Sequence, residues 1–261
     1  MTLAVIVQAR MGSSRLPAKI LEPLGMKSAL LRCLDRCRRI PGVDDVVAAI
    51  PDDEIDDEAA EDAADAGYWV VRGSENDVLA RHAKAARETG ADMIMRVTGD
   101  HPFIDPAICD RVIALMAATG ADFVCNDMPN LFPHGLQCEL FPASLLMEAD
   151  KRATLDEDRS CVTSWMRADP RFRKACLTGP GAGFERMRWS LENADDLAFC
   201  SAVYADLGED VASRISASEL AALCLRRPDL TQINAMHETV ASQTAQRAEF
   251  NTEPVRFSAV A

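Results

Sequence analysis

No apolar run in this chain approaches the roughly 18–20 residues that a membrane-spanning helix needs, so neither a transmembrane helix nor a membrane partner is expected. The apolar start, MTLAVIVQAR, has no basic region ahead of it and turns polar at Gln8, which argues against a secretory signal. There is no CxxC pair. Nine cysteines are scattered at positions 33, 37, 109, 125, 138, 161, 176, 200 and 224. An odd number without ligand spacing argues against a disulfide framework and a metal site, and points to a reducing, cytoplasmic setting. Cys33 and Cys37 stand four apart in a helix-like stretch and read as packing residues. The phosphate-binding signatures GxxxxGK[ST] and GxGxxG are also missing, and no internal repeat is visible.

What is present is a chain of 261 residues, 48% of them hydrophobic, long enough for one large domain or one with a small appendage. The net charge of −13 is unevenly spread. Residues 52–65 hold nine acids and no base, which leaves −4 for the remainder, and their amphipathic spacing reads as a solvated helix face. Residues 10–39 hold eight bases against Glu22 and Asp35. A local basic region in an acidic protein suits a small polyanion such as a nucleoside triphosphate. It does not suit nucleic acid, which needs a wider basic footprint.

Periodicity gives the fold class. Apolar runs at 3–7, 45–50, 68–71, 92–97 and 121–125 alternate with helical patterns, predicting an α/β fold with a mostly parallel central sheet covered on both faces. Further on, 137–141 and 187–191 read as strands, and 143–152, 195–207 and 216–226 as helices. Residues 1–238 are expected to form one domain, whose pattern is less regular over 126–190. Residues 239–261, of weak periodicity, are expected to be an extended or mobile tail.

Two segments carry chemistry. The loop after the first strand, Gln8-Ala9-Arg10-Met11-Gly12-Ser13-Ser14-Arg15-Leu16-Pro17-Ala18-Lys19, lies where open α/β sheets bind ligands. It offers a glycine for close backbone approach, two hydroxyls and three cations, which suits a triphosphate whose negative charge moves to leaving pyrophosphate. The second segment runs from Arg96 to Asp105 (RVTGDHPFID). Asp100, just past a buried strand, is a candidate Mg²⁺ ligand. Asp105 reads as a helix cap, and His101 as a turn residue or a substrate contact.

These motifs, with Arg72–Arg81 (RGSENDVLAR) between them, resemble the acylneuraminate cytidylyltransferase family, in particular its spore-coat polysaccharide branch. The resemblance implies a GT-A-like Rossmann nucleotidyltransferase fold and transfer of a nucleoside monophosphate, expected to come from CTP, to an acidic sugar or similar acceptor for surface glycans. It implies Gln8, Ala9, Arg10, Gly12 and Ser13 at the nucleotide, and Arg15 and Lys19 on the phosphates. Arg72, Asp77 and Arg81 fall at the rim, with an Asp77–Arg81 helix pair as the structural alternative. Asp100 and Glu192 would hold Mg²⁺. His101, His134, Gln137, Glu139 and Arg188 fall on the acceptor side, and a homodimer is implied, with 126–190 as the acceptor and dimerisation region of a nucleotidyltransferase domain spanning 1–238. The second half departs from the branch: His134 and Gln137 stand for acids in Y-P-D-G-x-D-x-E-x-F, and Glu192 for the aspartate of R-x-T-x-D. These departures keep open a non-catalytic nucleotide-binding member. A GT-A glycosyltransferase would require a D-x-D after a strand, whereas Asp150, Asp156 and Asp158 lie in a helix-like context.

Overall fold

In the computed structural model, residues 1–237 are described. The first strand, β1 (Leu3–Gln8), is buried along almost its whole length because apolar side chains go to both faces. Leu3, Val5 and Val7 enter one core, and Ala4 and Ile6 enter the other. A two-stranded hairpin, β2 (Pro23–Leu24) and β3 (Lys27–Ser28), leads into α1 (Ala29–Cys37), where Ser28 caps the helix and Leu30, Leu34 and Cys37 are buried. The chain continues through β4 (Asp45–Pro51), α2 (Asp57–Asp65), β5 (Trp69–Gly73), α3 (Val78–Thr89), β6 (Met93–Thr98), α4 (Pro106–Thr119) and β7 (Phe123–Cys125). Then follow β8 (Glu139–Pro142), α5 (Ala143–Arg152), α6 (Asp156–Cys161), α7 (Ser164–Ala168) and β9 (Lys174–Cys176). Helices α8 (Ala194–Leu207), α9 (Glu209–Ala212), α10 (Ala217–Arg226) and α11 (Pro228–Gln232) close the described chain.

The seven-stranded sheet has the order β5-β4-β1-β6-β8-β7-β9, with β8 antiparallel to both of its neighbours. The chain order reverses between β1 and β6. That reversal opens a crevice at the carboxyl ends of these strands, where the loops after Gln8 and Thr98 diverge. Gly99 packs the second loop tightly: a Cβ there would stand 3.1 Å from Ala9 Cβ and 3.3 Å from the Gln8 carbonyl.

Several expectations need correction. Residues 187–191 do not form a sheet strand. Their backbone groups bond to loops instead, Trp189 N–H to the His134 carbonyl at 2.7 Å and Leu191 N–H to the Asp100 carbonyl at 2.8 Å. The segment is thus a strap across the strand ends. The acidic run is not uniformly solvated either, because Asp56 is buried and accepts the Met11 N–H at 2.6 Å. Among the eight bases of residues 10–39, Arg32 and Arg36 are buried staples: Arg32 binds the Leu24 carbonyl and Glu209, and Arg36 the carbonyls of Ala212 and Ile215. The tail expected at 239–261 lies outside the described residues. No helix among the described residues is long and apolar enough to cross a membrane.

Candidate functional site

The loop after β1 folds over the crevice. The Asp56 carboxylate holds the Met11 N–H, and the Ala18 N–H returns to the Met11 carbonyl at 3.1 Å. Ala18 takes a left-handed conformation (φ 58°) and starts a short 3₁₀ turn, Lys19–Leu21, whose Ile20 is anchored in the core. This aims Lys19 at the end of β6, where its Nζ lies 2.5 Å from Asp100 Oδ2. Gln8, Ala9, Arg10, Gly12, Ser13, Arg15, Lys19 and Asp100 come together around one cavity of about 230 Å³, joined by Ser14, Ile20 and Thr98. Of the eight bases in residues 10–39, Arg10, Arg15 and Lys19 are the three that line it.

Burial pushes the Asp100 carboxyl up, and the adjacent His101 ring and Lys19 ammonium reverse this, leaving it below the usual carboxylate range. Lys19 is the fixed charge of the two, since burial pulls the His101 imidazole down to about 4. His101 Nε2 pairs with Thr98 Oγ1 at 2.9 Å, and its ring meets that of His134 edge-on at 6.3 Å. The strap then delivers Glu192. This carboxylate is met by His134 Nε2 at 3.0 Å, Arg15 at 2.7 Å and Arg188 at 3.2 Å. The His134 hydrogen bond, then Arg15 and Arg188, hold it far below the usual range despite partial burial. Arg188 is itself anchored by the buried Asp196 at 2.9 Å. Gly135 makes the crossing of loop and strap possible: its φ is +108°, and a Cβ there would lie 2.5 Å from Ser190 N.

A second cavity of about 360 Å³ adjoins the first at Thr98 and is lined by Arg96, His101, Gln137, Glu139, Thr163 and Arg167, among others. Glu139 lines this cavity with its carboxylate already engaged. It is buried, accepts from Arg96 at 2.8 Å and Thr163 at 2.7 Å, and is clamped by Arg167, which also binds Asp127 at 2.9 Å. Gln137 turns into its own loop, accepting the Gly135 N–H at 2.7 Å.

Arg72, Asp77 and Arg81 line neither cavity. Arg72 binds the carbonyls of Pro51 and Asp53 and the Asp57 carboxylate. Asp77 caps α3 through the Ala80 N–H, and its ion-pair partner is Arg159 at 2.6 Å rather than Arg81. Arg81 is buried and donates to the Ser74 carbonyl. The three brace the corner that presents Glu75, which faces Arg10 at 3.6 Å. Arg96, Thr98, Thr163 and Arg167 had no assigned role in the sequence reading; the signal for Arg96 was a charged side chain inside an otherwise apolar strand. Asp150, Asp156 and Asp158 all sit in helices, so the D-x-D expected of a glycosyltransferase is not formed.

A cytidylyltransferase family model matches residues 4–176. The chain belongs to the cytidylyltransferase family. It is a nucleotidyltransferase, and its similarity to the spore coat polysaccharide biosynthesis protein SpsF of Bacillus subtilis runs at 33% identity over 86% of this chain and 94% of that one. A 3-deoxy-manno-octulosonate cytidylyltransferase of Anaeromyxobacter dehalogenans is 36% identical over 44% of this chain and 48% of its own length. Among solved structures, a cytidylyltransferase from Leptospira borgpetersenii superposes with a TM-score of 0.83 at 28% identity, covering 89% of this enzyme and 97% of that chain.

Proposed function

We propose that this cytidylyltransferase transfers CMP from CTP to an acidic, carboxylated sugar for surface polysaccharide synthesis. The observation that carries the reading is the cavity at the β1–β6 switch point, which places Arg10, Arg15, Lys19 and Asp100 around one space. The relatives' names supply the nucleotide and the sugar class. The acceptor oxygen attacks the α-phosphorus, the α–β phosphoanhydride breaks, and pyrophosphate leaves with the charge. Arg15 and Lys19 hold the phosphates and stabilise that charge as it develops. The adjoining cavity receives the acceptor beside Thr98. His134, whose ring meets that of the cavity-lining His101 edge-on and whose Nε2 is held by Glu192, is the group offered for the acceptor's proton.

Asp100 and Glu192 fit a Mg²⁺ ion that arrives with the triphosphate. Magnesium takes one or two carboxylates plus phosphate oxygens and water. These two carboxylates stand on segments joined by the Leu191–Asp100 backbone bond, and both lie below the usual carboxylate range. Among the described residues no group of three or more such side chains comes together to hold a metal. When bound, it would neutralise phosphate charge.

Thermal unfolding with CTP, GTP, UTP and ATP, each with and without Mg²⁺, tests the donor. At 100 times its Kd a ligand adds about 2.7 kcal/mol, or about 5–10 °C in Tm for a chain of this size. The expected result is a shift with CTP that requires Mg²⁺. Equal or absent shifts for all four nucleotides would contradict the reading.

A further inference from the structure

Three polar side chains stand in a row on one face of the sheet at its carboxyl end. Arg96 pairs in register with Ile6 on β1 and with Glu139 on β8. Gln8 is two residues beyond Ile6 and therefore projects to the same face as Arg96. Arg96 spans the gap between the other two: one terminal nitrogen donates to Gln8 Oε1 at 2.8 Å and the other to Glu139 Oε2 at 2.8 Å. Glu139 continues to Thr163 and Arg167, which with Arg96 line the acceptor-side cavity, whereas Gln8 lines the nucleotide cavity.

A guanidinium carries donors only, so the amide atom that faces it is the oxygen. The Gln8 amide is thereby fixed in one of its two orientations, and its two N–H donors are left for the cavity. Without Arg96 the amide would be free to flip, presenting donor and acceptor alternately. We propose that Arg96 is a positioning residue for the nucleotide: it locks Gln8 with its N–H donors toward a hydrogen-bond acceptor atom of CTP. Through Glu139 it ties that orientation to the wall of the acceptor cavity. The inference rests on the nucleotidyltransferase reading above.

The test is calorimetric titration of CTP with Mg²⁺ into the wild type and into Gln8→Met, Gln8→Glu, Arg96→Lys and the Gln8→Met/Arg96→Lys double variant, with the unliganded Tm of each. Gln8→Met removes the donors at nearly constant size. Gln8→Glu removes them but gives Arg96 an ion-pair partner, so a merely structural role would be preserved or strengthened. Both are expected to weaken CTP binding by about tenfold or more, the factor that corresponds to about 1.4 kcal/mol, with Gln8→Glu keeping the wild-type Tm or exceeding it. Arg96→Lys keeps the charge but presents a point donor in place of the two-armed fork, and is expected to weaken binding by a smaller factor. Because Arg96 acts through Gln8, the double variant should bind CTP no more weakly than Gln8→Met alone. Wild-type affinity in Gln8→Met would overturn the proposal, as would fully additive losses in the double variant. Failure of the wild type to bind CTP at all would instead overturn the nucleotidyltransferase reading on which it rests.

Discussion

Lys19→Met is expected to lower kcat for pyrophosphate release by about 10²-fold or more, the scale set by removing one preorganised stabiliser of transition-state charge. The side chain is well placed for such an effect. It is mostly buried, held by the left-handed turn at Ala18 and the anchored Ile20, and its ammonium lies 2.5 Å from Asp100. A charge fixed in this way needs no reorganisation when the α–β bond breaks. The variant also leaves Asp100 without its nearest fixed cation, so the carboxyl should rise from its depressed position. Steady-state kinetics at saturating CTP, alongside the Tm, separate chemistry from folding. A loss below tenfold in a variant with wild-type Tm would remove Lys19 from the catalytic set.

Glu139→Ala is expected to destabilise the fold by about 3–5 kcal/mol, because it removes the buried carboxylate shared by two arginines and leaves Arg167 only Asp127 and Arg96 only Gln8; for a chain of this size that is a fall of about 6–20 °C in Tm. Burial by itself would raise the Glu139 carboxyl, but Arg167 and Arg96 outweigh it and hold the group down to about 2. The folded-state value thus lies below the ordinary 4.5. Its contribution is full above the ordinary value and is lost as pH falls through about 2. Wild-type stability should therefore decline across that acid window, and Glu139→Gln should flatten this part of the curve. Urea unfolding between pH 6 and pH 2 measures both effects. An acid limb unchanged in Glu139→Gln would show that the network contributes nothing to stability.

Much of the fold was legible because its signals are local. Continuous β-branched and apolar runs marked the buried parallel strands, and Asp105-Pro106 marked the start of α4, where Asp105 accepts the Ala107 N–H at 2.7 Å. The loop after β1 was legible for the same reason, since one short segment carries the glycine, hydroxyls and cations that meet at the cavity. What the sequence concealed depends on partners far along the chain. Asp77 and Arg81 have helix-pair spacing, yet Arg159, 82 residues away, reaches Asp77 with both carboxylate oxygens available to its fork. The clamp on Glu139 was hidden because its two arginines lie 43 and 28 residues away. The basic stretch overstated the site's charge, since the same local sequence supplies the buried staples Arg32 and Arg36. The strap at 187–191 had strand composition, and only the tertiary placement of His134 and Asp100 gives its backbone other partners.

The most direct test is pyrophosphate release by the purified enzyme with CTP, Mg²⁺ and a panel of sugars with and without a carboxylate. Release that requires both CTP and a carboxylated sugar, and that is lost in Asp100→Asn, is the expected result. No release with any carboxylated sugar, from protein that binds CTP, would contradict transfer to that class of acceptor.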